Sequence, residues 1–150
     1  MELSRRRLVP GLLGLGLLLG TGAARAGAEE RRIVLHVDEN DPKRMNLVLN
    51  NARNIVAYYR QQGIPVRTRV VAYGPGLHML RADTSPVKDR VAAMALELPE
   101  LSFAACANTM RAMGKREGKE PPLLEEVEIV PSGVVELVEL QRQGWTYVRP

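Results

Sequence analysis

The sequence is poor in the residues from which metal and cofactor sites are usually built. It contains one cysteine, two histidines, one tryptophan, one phenylalanine and four tyrosines among 150 residues. A single cysteine, Cys106, has no partner for an intramolecular disulfide and forms no CxxC redox pair. It also cannot supply the several thiolates of a structural zinc site. His36 and His78 stand far apart in the sequence, so no metal centre is expected. The scarcity of aromatic rings argues against a large aromatic-lined cofactor pocket, and no flavin or nucleotide fingerprint occurs, so no cofactor is expected either. Gly74-Pro75-Gly76 lacks the pattern of a phosphate loop and reads as a tight turn. The acidic run Asp38-Glu39-Asn40-Asp41 lacks calcium-loop spacing and is explained by helix capping and solvation.

Excess positive charge is also missing once the first segment is set aside. The chain has 21 Lys and Arg against 17 Asp and Glu. The first 26 residues hold four of those arginines and one of the glutamates, so 17 basic and 16 acidic residues remain. A nucleic-acid-binding domain keeps a basic footprint after processing; this one does not, and no nucleic-acid partner is expected. Residues 1–26 read as a cleaved signal peptide. Arg5, Arg6 and Arg7 precede the apolar run Leu8–Leu19, and Ala24-Arg25-Ala26 offers small residues at the cleavage positions. The run is shorter than the roughly 20 residues of a membrane span, so no stable span is expected after cleavage. Ser4-Arg5-Arg6-Arg7-Leu8-Val9 resembles a twin-arginine signal, and a plain Sec signal reads equally well. Either route leads to the bacterial periplasm and leaves residues 27–150 as one domain.

Within that domain, strands and helices alternate. Ile33–Val37 is a near-continuous apolar run, the mark of a strand covered on both faces. Asp41-Pro42 is a cap followed by proline at the first helical position. Met45, Val48, Leu49, Ala52, Ile55, Val56 and Tyr59 then recur at helical spacing up to Gly63. Val66–Tyr73 predicts a second strand, broken by Gly74-Pro75-Gly76, and Leu77–Arg81 a helical turn. Pro86–Leu98 predicts a helix with Val87, Val91, Met94 and Ala95 inward. Leu101–Ala105 predicts a third strand, and a short helix runs from near Asn108 to Met113, stopped at Gly114. Val127–Val130 predicts a fourth strand, Ser132 a cap for a helix ending at Gly144, and Trp145–Val148 a fifth strand at an edge. This order predicts an α/β fold: a three-layer α/β/α sandwich around a mainly parallel sheet of about five strands.

Cys106 carries the chemical interest. It follows an apolar strand and precedes a helix, and in an open parallel sheet ligands gather at the carboxyl ends of the strands. Free helix N–H groups there favour an anion, hence a thiolate. Thiolate is the form that attacks electrophilic sulfur or accepts sulfane sulfur as a persulfide. The competing reading is a small buried hydrophobe flanked by alanines. His36 lies near the carboxyl end of the first strand and His78 after the Gly-Pro-Gly turn. Their plain readings are a hydrogen-bonded strand residue and a solvated loop residue, and spacing pairs neither with the thiol.

Taken in order, several segments resemble the DsrE/DsrF-like family, in particular its exported single-domain members. They are His36-Val37-Asp38-Glu39-Asn40, Asn50-Asn51-Ala52-Arg53-Asn54 and Ala72-Tyr73-Gly74-Pro75-Gly76-Leu77. Phe103-Ala104-Ala105-Cys106-Ala107-Asn108-Thr109-Met110 and the stretch from Pro131-Ser132-Gly133 to Tyr147 complete them. The resemblance implies a DsrE/F-like sandwich that assembles into homo-oligomers, trimers or hexamers. It also implies a persulfide-accepting cysteine after a central strand, a place that Cys106 matches. Asn108, His36 and His78 are carried as further candidate catalytic residues. The expected function is that of a periplasmic sulfur carrier or sulfurtransferase-like protein, its sulfur donor and acceptor unnamed. The alternative is a non-catalytic oligomeric module that binds a small anion or a partner protein.

Overall fold

The computed structural model describes residues 27–150; the expected signal peptide, residues 1–26, lies outside the described residues. Five strands form one sheet: β1 (Arg31–Val37), β2 (Val66–Ala72), β3 (Leu101–Cys106), β4 (Val127–Val130) and β5 (Thr146–Val148). Their order across the sheet is β4-β3-β2-β1-β5, and every neighbouring pair is parallel. The helices are α1 (Pro42–Gln61), α2 (Lys88–Glu97), α3 (Ala107–Glu117) and α4 (Gly133–Arg142), with a 3-10 helix at Gly74–Leu80.

The handedness of parallel crossovers dictates the layers. From β1 to β4 the chain steps in one direction along the sheet, so α1, α2 and α3 all lie on one face. From β4 it returns past β1 to β5, so α4 lies on the other. The two cores reflect this asymmetry. Leu35, Val37, Val70, Phe103 and Ala105 point into the large core with α1, α2, α3 and the 3-10 helix. Alternate residues Val34, Val71, Ala104 and Val130 form a smaller core with Leu137 and Leu140 of α4, and Tyr73 and Trp145 pack against it. An ion pair from Arg69 Nε to Glu136 Oε1, 2.9 Å, adds a polar tether for α4.

Local signals explain most of the element boundaries. Asp41 caps α1 by accepting from the Lys43 N–H at 2.9 Å, with Pro42 in the first turn. Gly63 then leaves the helix at φ +67. The alternation in β3 ends in Cys106, which is the last strand residue rather than a loop residue beyond it.

Other boundaries also differ from the sequence expectation: the helix expected over Pro86–Leu98 spans Lys88–Glu97. Gly74-Pro75-Gly76 does not merely interrupt the chain but forms the first turn of the 3-10 helix. Gly114 lies inside α3, which runs on to Gly118 at φ +79. The glycine at 114 serves close approach instead: a Cβ there would sit 3.1 Å from Glu120 Cγ and 3.2 Å from its Cα.

A buried arginine fixes the far end of α3. Arg81 is almost fully enclosed and donates to Asp83 at 2.9 and 2.9 Å and to Glu117 at 2.8 and 2.8 Å. The guanidinium holds the Asp83 carboxyl down at about 2. Removing one partner of such a pair leaves an uncompensated buried charge, which is why these contacts come as a set. Phe103, the only phenylalanine, fills the centre of the large core and is 1% exposed. Phe103→Ala is expected to cost about 3–5 kcal/mol of stability, read as a lower urea midpoint with an unchanged slope.

Candidate functional site

Cys106 sits where β3 becomes α3 and occupies the N-cap position of that helix, with extended backbone angles of φ −77 and ψ 114. An N-cap side chain normally offers oxygen to the free N–H groups of the first turn. Here the acceptor is sulfur: the Thr109 N–H donates to Cys106 Sγ at 3.4 Å. Burial by itself pushes the thiol up. Hydrogen bonds from the Thr109 side chain, from the Gly133 N–H and from the N–H groups of Thr109 and Asn108 outweigh it, and the net shift is downward. Asn108 and Thr109 open α3, whereas Gly133 opens α4. Two helix amino termini therefore converge on one sulfur atom, each a region of partial positive charge that favours thiolate over thiol.

The approach of α4 depends on the residue at its start. A Cβ on Gly133 would lie 2.9 Å from both Cβ and Cδ1 of Tyr73, so only glycine lets that turn close over the strand ends. Tyr73 follows β2 directly, one place beyond the paired residues Ala72 and Ala105, which sets it beside Cys106 on the α4 face. Its ring stacks on His36 with centroids 4.7 Å apart. Burial, then the Asp38 carboxylate, raise the Tyr73 hydroxyl above its usual value, and Cys106 adds a small upward push. The tyrosine thus stays protonated beside the sulfur.

His36 does not meet the thiol directly, because β2 stands between β1 and β3. Its Nδ1 lies 2.9 Å from the Tyr147 hydroxyl and its Nε2 3.8 Å from Asp38 Oδ2. With Nε2 facing a carboxylate, the tautomer carrying its hydrogen there fits, and Tyr147 O–H donates to Nδ1. Burial lowers the imidazole's pKa despite the opposing effect of Asp38, while Arg149 lowers it further. The result is a neutral imidazole joined to Cys106 only through Tyr73.

The other candidates separate. His78 lies on the 3-10 helix, its Nδ1 3.3 Å from Thr84 Oγ1. Asn108 contributes its backbone N–H to the sulfur, while its side-chain oxygen accepts from Arg111. His78 and Asn108 both line a cavity of about 430 Å³ between the 3-10 helix and α3. A larger cavity, about 600 Å³, lies away from the sulfur and includes Arg67, Arg69, Glu136 and Trp145. Thr109, Gly133 and Tyr73 were not among the candidates from sequence. A Thr three residues after a strand-ending Cys is a legible cap pattern, but nothing local in the sequence brings Gly133 to the same atom.

Among the described residues no group of three or more His, Cys, Asp or Glu side chains is arranged to hold a metal ion. No helix among them is long and apolar enough to cross a membrane. Comparison with known proteins gives two findings. A family model described as the DsrE/DsrF-like family matches residues 32–150. A solved protein of unknown function from Methanobacterium thermoautotrophicum is 39% identical, with a TM-score of 0.69, over 80% of this chain and 99% of its own. No curated protein matches.

The donors around Sγ make the thiol's ionisation sensitive to single changes. Alkylation by iodoacetamide, followed against pH, is expected to rise to half-maximum below the ordinary thiol value of about 8.5. Thr109→Val removes the hydroxyl donor, and Gly133→Ala forces α4 away from Tyr73; both are expected to move that midpoint upward.

Proposed function

The chain belongs to the DsrE/DsrF-like family, and from that premise we propose that it carries sulfane sulfur as a persulfide on Cys106. One observation carries this reading: Cys106 ends β3 and caps α3 with its sulfur, accepting from the Thr109 N–H at 3.4 Å, while the Gly133 start of α4 closes on Tyr73 beside it. In the loading step the Cys106 thiolate attacks the sulfane sulfur of a donor such as thiosulfate. An S–S bond forms to Sγ, the bond to the sulfonate sulfur breaks, and sulfite leaves with the electron pair. Unloading is the same reaction in reverse sense. An acceptor thiolate attacks the outer sulfur, and Cys106 departs as thiolate. A low thiol pKa helps in both directions, by populating the attacking form and by improving the leaving group.

Tyr73 is a proton-bearing neighbour of this sulfur, and His36 and Tyr147 hold its ring side in place. Asn108 acts through its backbone. His78 stands apart from the transfer itself. An exported protein, cut after Ala26, is part of the proposal and rests on the first 26 residues of the sequence alone.

A homo-oligomer is part of it as well. Val134, Val135 and Val138 project from the outer side of α4 at 53%, 54% and 49% exposure. Such a cluster is suited to a second copy, and a trimer or hexamer follows from the family resemblance.

A specific observation favours a second reading. Cys106 is only 4% exposed, as expected of a binding module in which the cysteine packs and does not react. Rapid thiol labelling of the native protein supports the carrier; protection until unfolding supports the module.

Intact mass after incubation with thiosulfate or polysulfide is the direct measurement. The native protein is expected to gain the mass of one sulfur, and Cys106→Ser to gain none while melting at the same temperature. A gain that survives in the mutant would reject the proposal. For assembly, Val134→Glu with Val138→Glu is expected to lower the mass measured by light scattering to that of one chain. A native protein that is itself monomeric at working concentration would remove the oligomer.

A further inference from the structure

The segments that leave the carboxyl ends of β1, β2 and β3 open around the cavity of about 430 Å³, a volume within the roughly 300–1,000 Å³ of small-molecule sites. Asn40 follows β1, Gly74 and Pro75 start the 3-10 helix after β2, and Asn108 opens α3 after β3. Ligands of open parallel sheets gather at this end of the strands. The two walls are joined without a ligand: the Gly74 N–H donates to Thr109 Oγ1 at 2.9 Å and pins the 3-10 helix to α3. Cys106 does not line this cavity, so what fills it is independent of the sulfur chemistry.

The lining holds a cation and no carboxylate. Arg116 reaches it from the last turn of α3, as part of a basic face made by Arg111, Lys115, Arg116 and Lys119. None of the four is ion-paired among the described residues. Glu117, the acidic residue of α3, is held by Arg81. In a domain whose charges otherwise nearly cancel, such a face raises the local concentration of anions. Asn40 and Asn108 are neutral amides, and His78 is engaged by Thr84 Oγ1 at 3.3 Å. Arg116 is thus the one fixed charge on the lining. It balances a single negative charge, and its planar fork fits a carboxylate with two parallel hydrogen bonds. A phosphate dianion would keep a charge unmatched.

Shape adds a second requirement. Asn108, Ala112 and Arg116 recur every four residues on one side of α3, so the cavity runs along two helical turns, about 12 Å. Between the ends lie Ala112, Met113 and Pro75, an apolar wall that gains from covering hydrocarbon. We infer that the cavity between the 3-10 helix and α3 binds a small aliphatic carboxylate, with its anionic end on Arg116 and its chain along Met113 and Pro75. No covalent step is involved.

Hexanoate is the probe, titrated calorimetrically into the protein at low salt. Saturable binding is expected, about tenfold weaker with Arg116→Gln, as for one lost charge-assisted contact. Acetate, which has no stem to bury, is expected to bind about tenfold more weakly than hexanoate. Uncharged hexanamide is expected not to bind. Lys119→Gln, on the same basic face but off the lining, is expected to change the affinity by no more than about twofold. Both residues are exposed, so their replacement leaves the core untouched. Absence of saturable binding, or equal weakening by the two substitutions, overturns the inference. So does binding of hexanamide, or of inorganic phosphate more tightly than hexanoate. Cys106→Ser is expected to bind hexanoate as the native protein does. A protein that loads sulfur but ignores hexanoate overturns this site alone, and one that binds hexanoate but takes up no sulfur overturns the carrier alone.

Discussion

Right-handed crossover is the constraint on which this molecule turns. A chain that lays down four parallel strands in one direction must put three helices on the same side. It can then place a helix on the opposite face only by reversing, which it does once, between β4 and β5. That reversal carries the start of α4 across the carboxyl ends of the central strands. The start of α3 is already there, because β3 runs straight into it at Cys106. The meeting of two helix termini at one atom is thus a product of topology, and no extended sequence motif is required to specify it.

The energetics of the site are a contest between burial and hydrogen bonding. Removing a charged sulfur from water opposes ionisation, and an unpaired buried charge is not tolerated. The N–H groups of a first helical turn have no partners within their own helix, so offering them sulfur satisfies donors that would otherwise need water. Both sides gain from the same contact, and the balance falls toward thiolate. Tyr73 and Gly133 are the geometric condition for that balance: the ring lies against a backbone that can approach because it carries no Cβ.

Much of the fold was legible from sequence. The apolar runs Ile33–Val37 and Leu101–Ala105 could only be strands buried on two faces, and the Asp41-Pro42 cap with its stripe from Met45 to Tyr59 gave α1 almost residue by residue. Reading Gly114 as a helix stop failed because glycine answers two demands, positive φ and close approach, and the sequence does not say which applies. Cys106 was identifiable by its place between strand and helix. Its partners were only half so: Thr109 is local, three residues on, but Gly133 and Tyr73 reach the sulfur through long-range packing. His36 was placed near the strand ends correctly, while its separation from the thiol follows from the strand order, which spacing does not encode.

The edge strand β5 is three residues long, partly open to solvent, and pairs with β1, the first strand of the domain. Its hold is reinforced by Tyr147 on His36, by Arg149 on Asp38 and Glu39, and by Arg44 on the Pro150 carbonyl. The residues of the first of these contacts are 111 positions apart. Closing so distant a pair waits on the rest of the sheet, since the loop entropy is met only after the intervening strands have assembled. In chain order β1 precedes the other four strands, and it keeps one open edge until β5 pairs with it. The outer edge of β1 is thus a vacant pairing site throughout assembly, closed only when the last strand of the sheet docks.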